Sequence, residues 1–228
     1  MKQIEVKLLD SMGNDRAIAE SAWTSSTTLE KKEGRTDADV ERVVIMLAKE
    51  RHGTPFESVI FKFWYNMPIF IDRQHMTYRN SSQNGISARY RILPTDYYEL
   101  PTDVRKIIKK ANLKKDYDFE YFEICESATQ LYKELMTQLK ICEKENTINL
   151  EEYKRVREVF RGVLPQSLLV ERVSIFNLRS LSNYFKQRIS DHAQKEIRFV
   201  AESMLRIINE SNICPIAIRE LEKNSWEI

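Results

Sequence analysis

Residues 73 to 90, RQHMTYRNSSQNGISARY, crowd arginines, an asparagine–glycine turn and small hydroxyl side chains into one short stretch behind a strongly apolar run. Gln74, Arg79, Ser81, Ser82, Ser87 and Arg89 supply the forked guanidinium and hydroxyl donors that phosphate oxygens accept. A solvated helix face followed by a polar hairpin has the same composition. The position speaks for a bound anion, because arginines at the edge of a core need partners.

Two further clusters carry polar chemistry. His52-Gly-Thr-Pro-Phe-Glu57 lies where a helix ends and an apolar strand begins, and reads either as a capped turn or as a polar rim around a planar ligand. The third cluster is Arg161-Gly-Val-Leu-Pro165, Asn177-Leu-Arg179, Asn183 and Arg188 to Gln194. In a helix from Asn177, residues 177, 184 and 188 fall near one face and 179, 183 and 187 near another, so two polar stripes flank Leu181 and Phe185. Asp191, His192 and Gln194 read as caps of the following helix. There is no Gly-rich phosphate loop, zinc spacing, GxSxG or Ser-His-Asp order, and no metal site is expected. Cys125, Cys142 and Cys214 lie outside the polar clusters, which argues against a thiol nucleophile.

The elements that must position these clusters follow from periodicity. A strand is expected over residues 3 to 9, a turn over 10 to 15, and helices over 17 to 23 and 37 to 51, the latter capped by Thr36 or Asp37 and closed by Gly53. Residues 58 to 66 alternate as a strand buried on both sides, and Pro68 suits the first turn of a helix from Ile69 to about Arg79. A short extended piece covers Ile86 to Tyr90, and residues 91 to 118 read as an irregular insertion or lid. Beyond it come a long helix with Phe122, Cys125, Ala128, Leu131, Leu135 and Leu139 inward, a helix over 151 to 161, a strand over 167 to 176, and helices over 177 to 189 and 191 to 209. One α+β domain over 1–228, with a central antiparallel or mixed sheet flanked by long helices, is the economical architecture.

Composition sets the outer limits. The chain has 228 residues, 42% hydrophobic and 10% aromatic, enough for a packed core. Its 36 basic and 34 acidic groups leave a net charge of +2, which gives no global field for duplex nucleic acid. Three widely spaced cysteines suit a reducing compartment. MKQIEVKLLD has no apolar signal core, and no window approaches the ~20 apolar residues of a membrane span, so a cytoplasmic protein without membrane attachment is expected.

Taken together and in this order, the clusters resemble those of the flavin-dependent thymidylate synthases, the ThyX family. The resemblance rests on Met12-Gly-Asn-Asp15, His52 to Glu57, Pro68 to Gln74, Ser82 to Tyr90, Arg161 to Pro165, Asn177 to Asn183, and Arg188 to Gln194. It implies a homotetramer with shared active sites and FAD at subunit interfaces. The implied reaction moves the methylene of methylenetetrahydrofolate to C5 of dUMP or a related pyrimidine deoxynucleotide, with NADPH as reductant. By resemblance, Ser25, His52, Thr54, Glu57, Thr77, Tyr78, Arg79, Asn177, Arg179 and Asn183 hold FAD. Gln74, Gly85, Ser87, Ala88, Arg89, Arg161 and Arg188 hold the nucleotide, with Arg188 stabilising the ionised uracil and Ser87 the family's motif serine.

Four positions depart from the family pattern. Thr77 and Tyr78 replace an arginine and a histidine of the signature, Gly85 stands where glutamate is usual, and Trp23 where arginine is common. A tyrosine stacks and hydrogen-bonds but carries no imidazolium charge. Two alternatives follow: a flavin- and folate-dependent hydroxymethylase of pyrimidine nucleotides, and a non-catalytic binder of nucleotide or single-stranded nucleic acid. The latter would use Phe61, Phe63, Trp64 and Tyr65 beside Arg73 and Arg79 as stacking platforms.

Overall fold

Leu178 N–H donates to the Val59 carbonyl at 2.8 Å, and Ile69 N–H donates to the Leu168 carbonyl at 3.0 Å. These two bonds set two long strands side by side in opposite directions. The computed structural model describes residues 4–26, 28, 34–78 and 80–227. Strands β1 (Glu5–Met12), β2 (Ile60–Pro68), β3 (Ser82–Gly85) and β4 (Leu169–Asn177) form one antiparallel sheet in the order β1-β2-β4-β3. The helices are α1 (Asp15–Trp23), α2 (Asp37–Lys49), α3 (Ile69–Met76), α4 (Thr102–Lys110), α5 (Tyr117–Lys144), α6 (Leu150–Phe160), α7 (Leu178–Arg188), α8 (Lys195–Ser211) and α9 (Pro215–Lys223). Short 3-10 turns occupy Thr54–Ser58 and Arg161–Val163. The α+β class with a central sheet is as the sequence predicts. Chain contacts divide it into a terminal unit (Glu5–Tyr65, Gln74–Asn84, Arg172–Ile228) and a middle unit (Met1–Ile4, Asn66–Arg73, Gly85–Glu171).

In the terminal unit, Phe61, Phe63 and Tyr65 alternate along β2 and have no exposed surface, each contributing about 1.5–3 kcal/mol through burial. Ile60, Lys62 and Trp64 on the other face are partly or fully open, so β2 is fully buried on one side rather than both. Core placement also removes Phe61, Phe63 and Tyr65 as stacking platforms for a nucleic acid.

The caps explain the helix limits. Thr36 accepts from Asp39 N–H while the Asp39 carboxylate accepts from Thr36 N–H, a capping box that starts α2. At its end, Arg51 N–H reaches the Ala48 carbonyl and His52 N–H the Leu47 carbonyl, which is a Schellman closure with Arg51 left-handed at φ 58. Gly53, expected in that role, is right-handed at φ −69. Its reason for being glycine lies at the site described below.

Asp15 is buried and accepts from Ile216 and Ala217 N–H at 3.0 and 2.9 Å, capping α9 from across the sequence. α9 is absent from the elements expected above, although Pro215 at its first position and Ala217, Ile218 and Leu221 at helical spacing mark it locally. The expected capping box of Asp191 and Gln194 does not form: Asp191 pairs with Arg198, and α8 starts only at Lys195, after a turn closed by Ala193 N–H on the Ser190 carbonyl.

In the middle unit, α5 buries Cys125, Thr129, Tyr132 and Met136, while Phe122 and Leu131 of the expected stripe are about half exposed. The inward face is rotated by one position, because Tyr132 and Met136 pack on Ala88, Leu93, Leu164, Leu168 and Val170. Residues 91 to 118, expected to be irregular, contain α4. That helix buries nothing; Asp103 in its first turn and Lys109 and Lys110 in its last complement the helix dipole. The short extended piece lies at Ser82–Gly85 rather than 86 to 90, where Tyr90 and Arg91 N–H instead close a turn on the Ser87 carbonyl.

Candidate active site

Arg179, Asn183 and Lys186 stand at i, i+4 and i+7 on α7, so they share one face. With Glu57, Asn177 and Asn80 they line a cleft of about 700 Å³ in the terminal unit, completed by Arg51, Ser180, Trp226 and Glu227. Asn177 caps α7, its Oδ1 accepting from Ser180 N–H and Oγ at 2.8 Å. Its amide N–H groups are therefore the part left to a ligand.

Three cations meet carboxylates around this cleft. Arg179 donates to Glu57 at 2.7 Å, and Glu227 pairs with Lys186 at 3.0 Å and with Arg51. The hydrogen bond from Lys186, then the charge of Arg51, hold the Glu227 carboxyl below its usual range. A Cβ on Gly53 would lie 2.8 Å from Arg179 Nε, so the missing side chain is what lets this guanidinium lie against the turn. Exposed ion pairs of this kind are weak and exchangeable. Three cations and the amides of Asn80, Asn177 and Asn183 around a cleft of about 700 Å³ suit a dinucleotide whose pyrophosphate displaces the carboxylates, so the residues present fit FAD.

Tyr78 stands one layer behind. It is buried, and its hydroxyl donates to the Ser180 carbonyl at 2.8 Å and accepts from Asn183 Nδ2 at 2.9 Å. Burial raises its pKa, opposed by the Asn183 bond. The tyrosine in the histidine's place therefore orients Asn183.

Of the ten residues expected to hold FAD, Glu57, Asn177, Arg179 and Asn183 line the cleft. Ser25, His52 and Thr54 are exposed and do not line it, and the Ser25 hydroxyl bonds the Ala22 carbonyl. Thr77 spends its hydroxyl on the Gln74 carbonyl at 2.8 Å. Arg79 lies outside the described residues.

The expected nucleotide residues fall in both units. In the terminal unit, Gln74 donates to Gln194 Oε1 at 2.6 Å, and Arg188 is half-buried with its Nε unpartnered among the described residues. In the middle unit, Arg89 pairs with Glu158 at 3.0 Å, Ser87 Oγ accepts from Arg89 N–H, and Gly85 and Arg161 are exposed. Ala88 is buried in that unit's core, so only its backbone is free to meet a ligand.

Sequence reasoning missed Arg51, Asn80, Ser180, Lys186, Trp226 and Glu227. Helical spacing from Arg179 and Asn183 would have reached Lys186; Trp226 and Glu227 arrive only through the fold-back after α9. It also missed His75, a buried histidine bonded at both ring nitrogens.

No group of His, Cys, Asp and Glu able to hold a metal occurs among the described residues. No described helix is long and apolar enough to cross a membrane. None of the cysteines lines the cleft, and burial pushes the Cys214 thiol well up.

A family profile described as thymidylate synthase complementing protein matches residues 7–216. A flavin-dependent thymidylate synthase of Thermus thermophilus is 35% identical over 225 residues, spanning 97% of this chain and 77% of the relative. One of Thermosipho melanesiensis is 32% identical over 211 residues, spanning 92% and 86%. Among solved structures, the UMP/dUMP methylase PolB from Streptomyces cacaoi bound with 5-Br dUMP is similar, with a TM-score of 0.69 at 26% identity, over 97% of this chain and 96% of that one. With this match over nearly its whole length, the chain belongs to the family of flavin-dependent thymidylate synthases.

Proposed function

We propose that the protein is an FAD-dependent thymidylate synthase, transferring the methylene of methylenetetrahydrofolate to C5 of dUMP and reducing it to methyl with electrons from NADPH. The observation that carries this is the cleft in which Glu57, Asn177, Arg179 and Asn183 converge, in a chain whose relatives are named flavin-dependent thymidylate synthases. Bound FAD supplies the hydride that completes the methyl group.

The chain's own residues do the rest. Arg179, Arg51 and Lys186 bind phosphate oxygens, and the Asn177 and Asn183 amides orient the ring system. The Arg188 guanidinium, whose buried Nε has no partner among the described residues, holds negative charge on the uracil ring and so makes C5 nucleophilic. No thiol is needed, in keeping with cysteines that lie away from the cleft. Gln74, Arg89, Arg161, the Ser87 hydroxyl and the Gly85 and Ala88 backbone serve the nucleotide's phosphate and sugar.

Residues 1–228 act as one catalytic domain in the cytoplasm. They assemble as a homotetramer, and the exposed Phe119, Phe122, Ile124 and Leu131 of α5 suit a subunit interface. A hydroxymethylating variant of the reaction is the second reading. It is favoured by Tyr78, whose hydroxyl is consumed by Ser180 and Asn183 and so delivers no charge to the cleft.

Mass spectrometry of the nucleotide after incubating FAD-loaded protein with methylenetetrahydrofolate, NADPH and dUMP decides between them. A methyl product is expected; a hydroxymethyl product selects the second reading. Unchanged dUMP with flavin bound moves the assay to UMP and dCMP. Protein that binds no flavin would leave a non-catalytic nucleotide binder.

A further inference from the structure

His75 belongs to none of the ligand sets above, yet it has no exposed surface and both its ring nitrogens are bonded. It sits on α3 in an aromatic cage, 4.6 Å from the Tyr65 ring, 5.5 Å from Tyr184 and 5.9 Å from Phe176. Nδ1 is 2.9 Å from Tyr184 Oη and Nε2 is 3.0 Å from Ser174 Oγ. Beyond Ser174 the chain of bonds continues to Gln83 Oε1, from Gln83 Nε2 to Ser81 Oγ at 2.6 Å, and from Ser81 Oγ to the Tyr78 carbonyl at 2.9 Å.

The far end fixes the direction of every link. A backbone carbonyl can only accept, so Ser81 spends its single hydroxyl proton on Tyr78 and must accept from Gln83. Gln83 therefore turns its N–H to Ser81 and its oxygen to Ser174, and Ser174 donates to it. Ser174 must then accept from His75, which places the imidazole proton on Nε2 and leaves Nδ1 to accept from the Tyr184 hydroxyl.

Burial, reinforced by the charges of Arg172 and Arg188, takes the pKa of His75 down to about 3, so the ring is neutral throughout the physiological range. A neutral ring is what a one-way chain requires, since an imidazolium would have to donate at both nitrogens.

We propose that His75 is a positioning residue for the flavin cleft: as the Nε2–H tautomer it ties Tyr184 on α7, through Ser174, Gln83 and Ser81, to the backbone of Tyr78. The phenol of Tyr78 is held independently by Ser180 and Asn183. Tyr78 is thus clamped at both ends, and the relay orders the stretch that brings Asn80 to the cleft. The fixed clamp answers the loss of the signature arginine and histidine at Thr77 and Tyr78: the local charge is gone, and a rigid neutral scaffold orients Asn183 and Asn80 instead. This role rests on the flavin-site reading given above.

Two measurements test it. Nitrogen NMR on histidine-labelled protein, in which the chain's three histidines are few enough to assign with a His75 variant, should show His75 as neutral Nε2–H between pH 8 and pH 5 in the wild type. A Nδ1–H or charged ring at pH 7 would overturn the relay.

Flavin titration is the second measurement, with His75→Phe, which keeps an aromatic ring but cuts both bonds, and His75→Gln, which restores one acceptor and one donor. His75→Phe should weaken flavin binding about tenfold and shift the visible spectrum of the bound flavin, with His75→Gln recovering most of both. A folded His75→Phe protein with wild-type affinity and spectrum would sink the proposal. If His75→Phe does not fold, Gln83→Leu cuts the same chain at a half-buried strand position, and unchanged flavin binding there overturns it equally. Wild-type protein that takes up no flavin would bring down the functional reading itself, whereas wild-type binding with indifferent variants brings down the relay alone.

Discussion

The two units differ in degree in how far they enclose polar side chains and leave apolar ones open. The terminal unit buries polar side chains and satisfies them: His75, Ser174 and Ser182 have no exposed surface, and each is hydrogen-bonded. The middle unit leaves apolar side chains uncovered, with Phe119, Ile124 and Ile107 more than half exposed. Buried polar networks fix a unique geometry, at the cost of being intolerant to change. Uncovered apolar surface fixes nothing within one chain and asks for a partner. The difference places the fully enclosed polar network in the terminal unit, where the cleft is, and the most exposed large apolar side chains of the helices in the middle unit.

The sharpest way to break that assignment is Arg188→Ala. Turnover should fall at least ~10²-fold with flavin still bound, since a fixed guanidinium opposite developing charge is lost. Normal steady-state rates in this variant would move the chemistry out of the terminal unit. Next is Gly53→Ala. The added methyl meets Arg179 at 2.8 Å, and because a flexible side chain can swing aside, flavin affinity should drop about tenfold while the melting temperature barely moves. Fluorescence titration and a thermal melt separate the two.

A pH series on stability probes the buried polar network directly. The folded pKa of His75 is about 3 against 6.5 for a free histidine, so below pH 6.5 the unfolded chain takes a proton that the folded one refuses. Stability from this group is complete above pH 6.5 and falls by about 1.4 kcal/mol per pH unit as the pH drops towards 3. The charges of Arg172 and Arg188 act on it, the neutral Tyr184 hydroxyl bonds it, and the Tyr65 ring packs on it, with Tyr78 beyond Tyr184. Denaturant unfolding of wild type and His75→Phe at pH 7 and pH 5 should show the slope only in the wild type.

Effects confined to the middle unit should be smaller and should leave flavin alone. Tyr132→Phe strands the Leu93 N–H that now reaches the tyrosine oxygen at 3.3 Å, and should cost about 1 kcal/mol in denaturant unfolding with no change in flavin affinity. Ile107→Ser on α4, at a side chain 66% exposed, should change stability by less than ~0.5 kcal/mol. A larger loss there, or loss of assembly on a sizing column, would show that α4 is covered in solution.

What could be read from the sequence follows the same division. Alternation along residues 58 to 66 gave β2, and apolar spacing after a candidate cap at Thr36 or Asp37 gave α2, because both signals are local. Arg179 and Asn183 were legible because helical spacing and family resemblance agree on them, and Asn177 by resemblance alone. His75 was not, for its partners Ser174 and Tyr184 lie 99 and 109 residues away and a lone histidine in a helix carries no local mark. Gly53 was noticed for the wrong reason: its backbone is ordinary, and the constraint comes from Arg179, brought there by the fold. α4 carries a readable stripe, Val104, Ile107 and Ile108 at i, i+3 and i+4, and it escaped notice because the Pro, Asp and Lys content of residues 91 to 118 reads as irregular chain.

The cap that Asp15 places on α9 has a consequence for how the protein is made. It joins positions 201 and 202 residues apart, and the terminal unit as a whole is assembled from three separate stretches of chain. Loop closure over such distances is slow, and synthesis delivers the early stretch long before the late one. On the ribosome, then, the residues of α1 and α2 must wait, with part of their apolar surface uncovered, until α7 to α9 emerge. The middle unit, nearly continuous from Gly85 to Glu171, is free to fold during that interval.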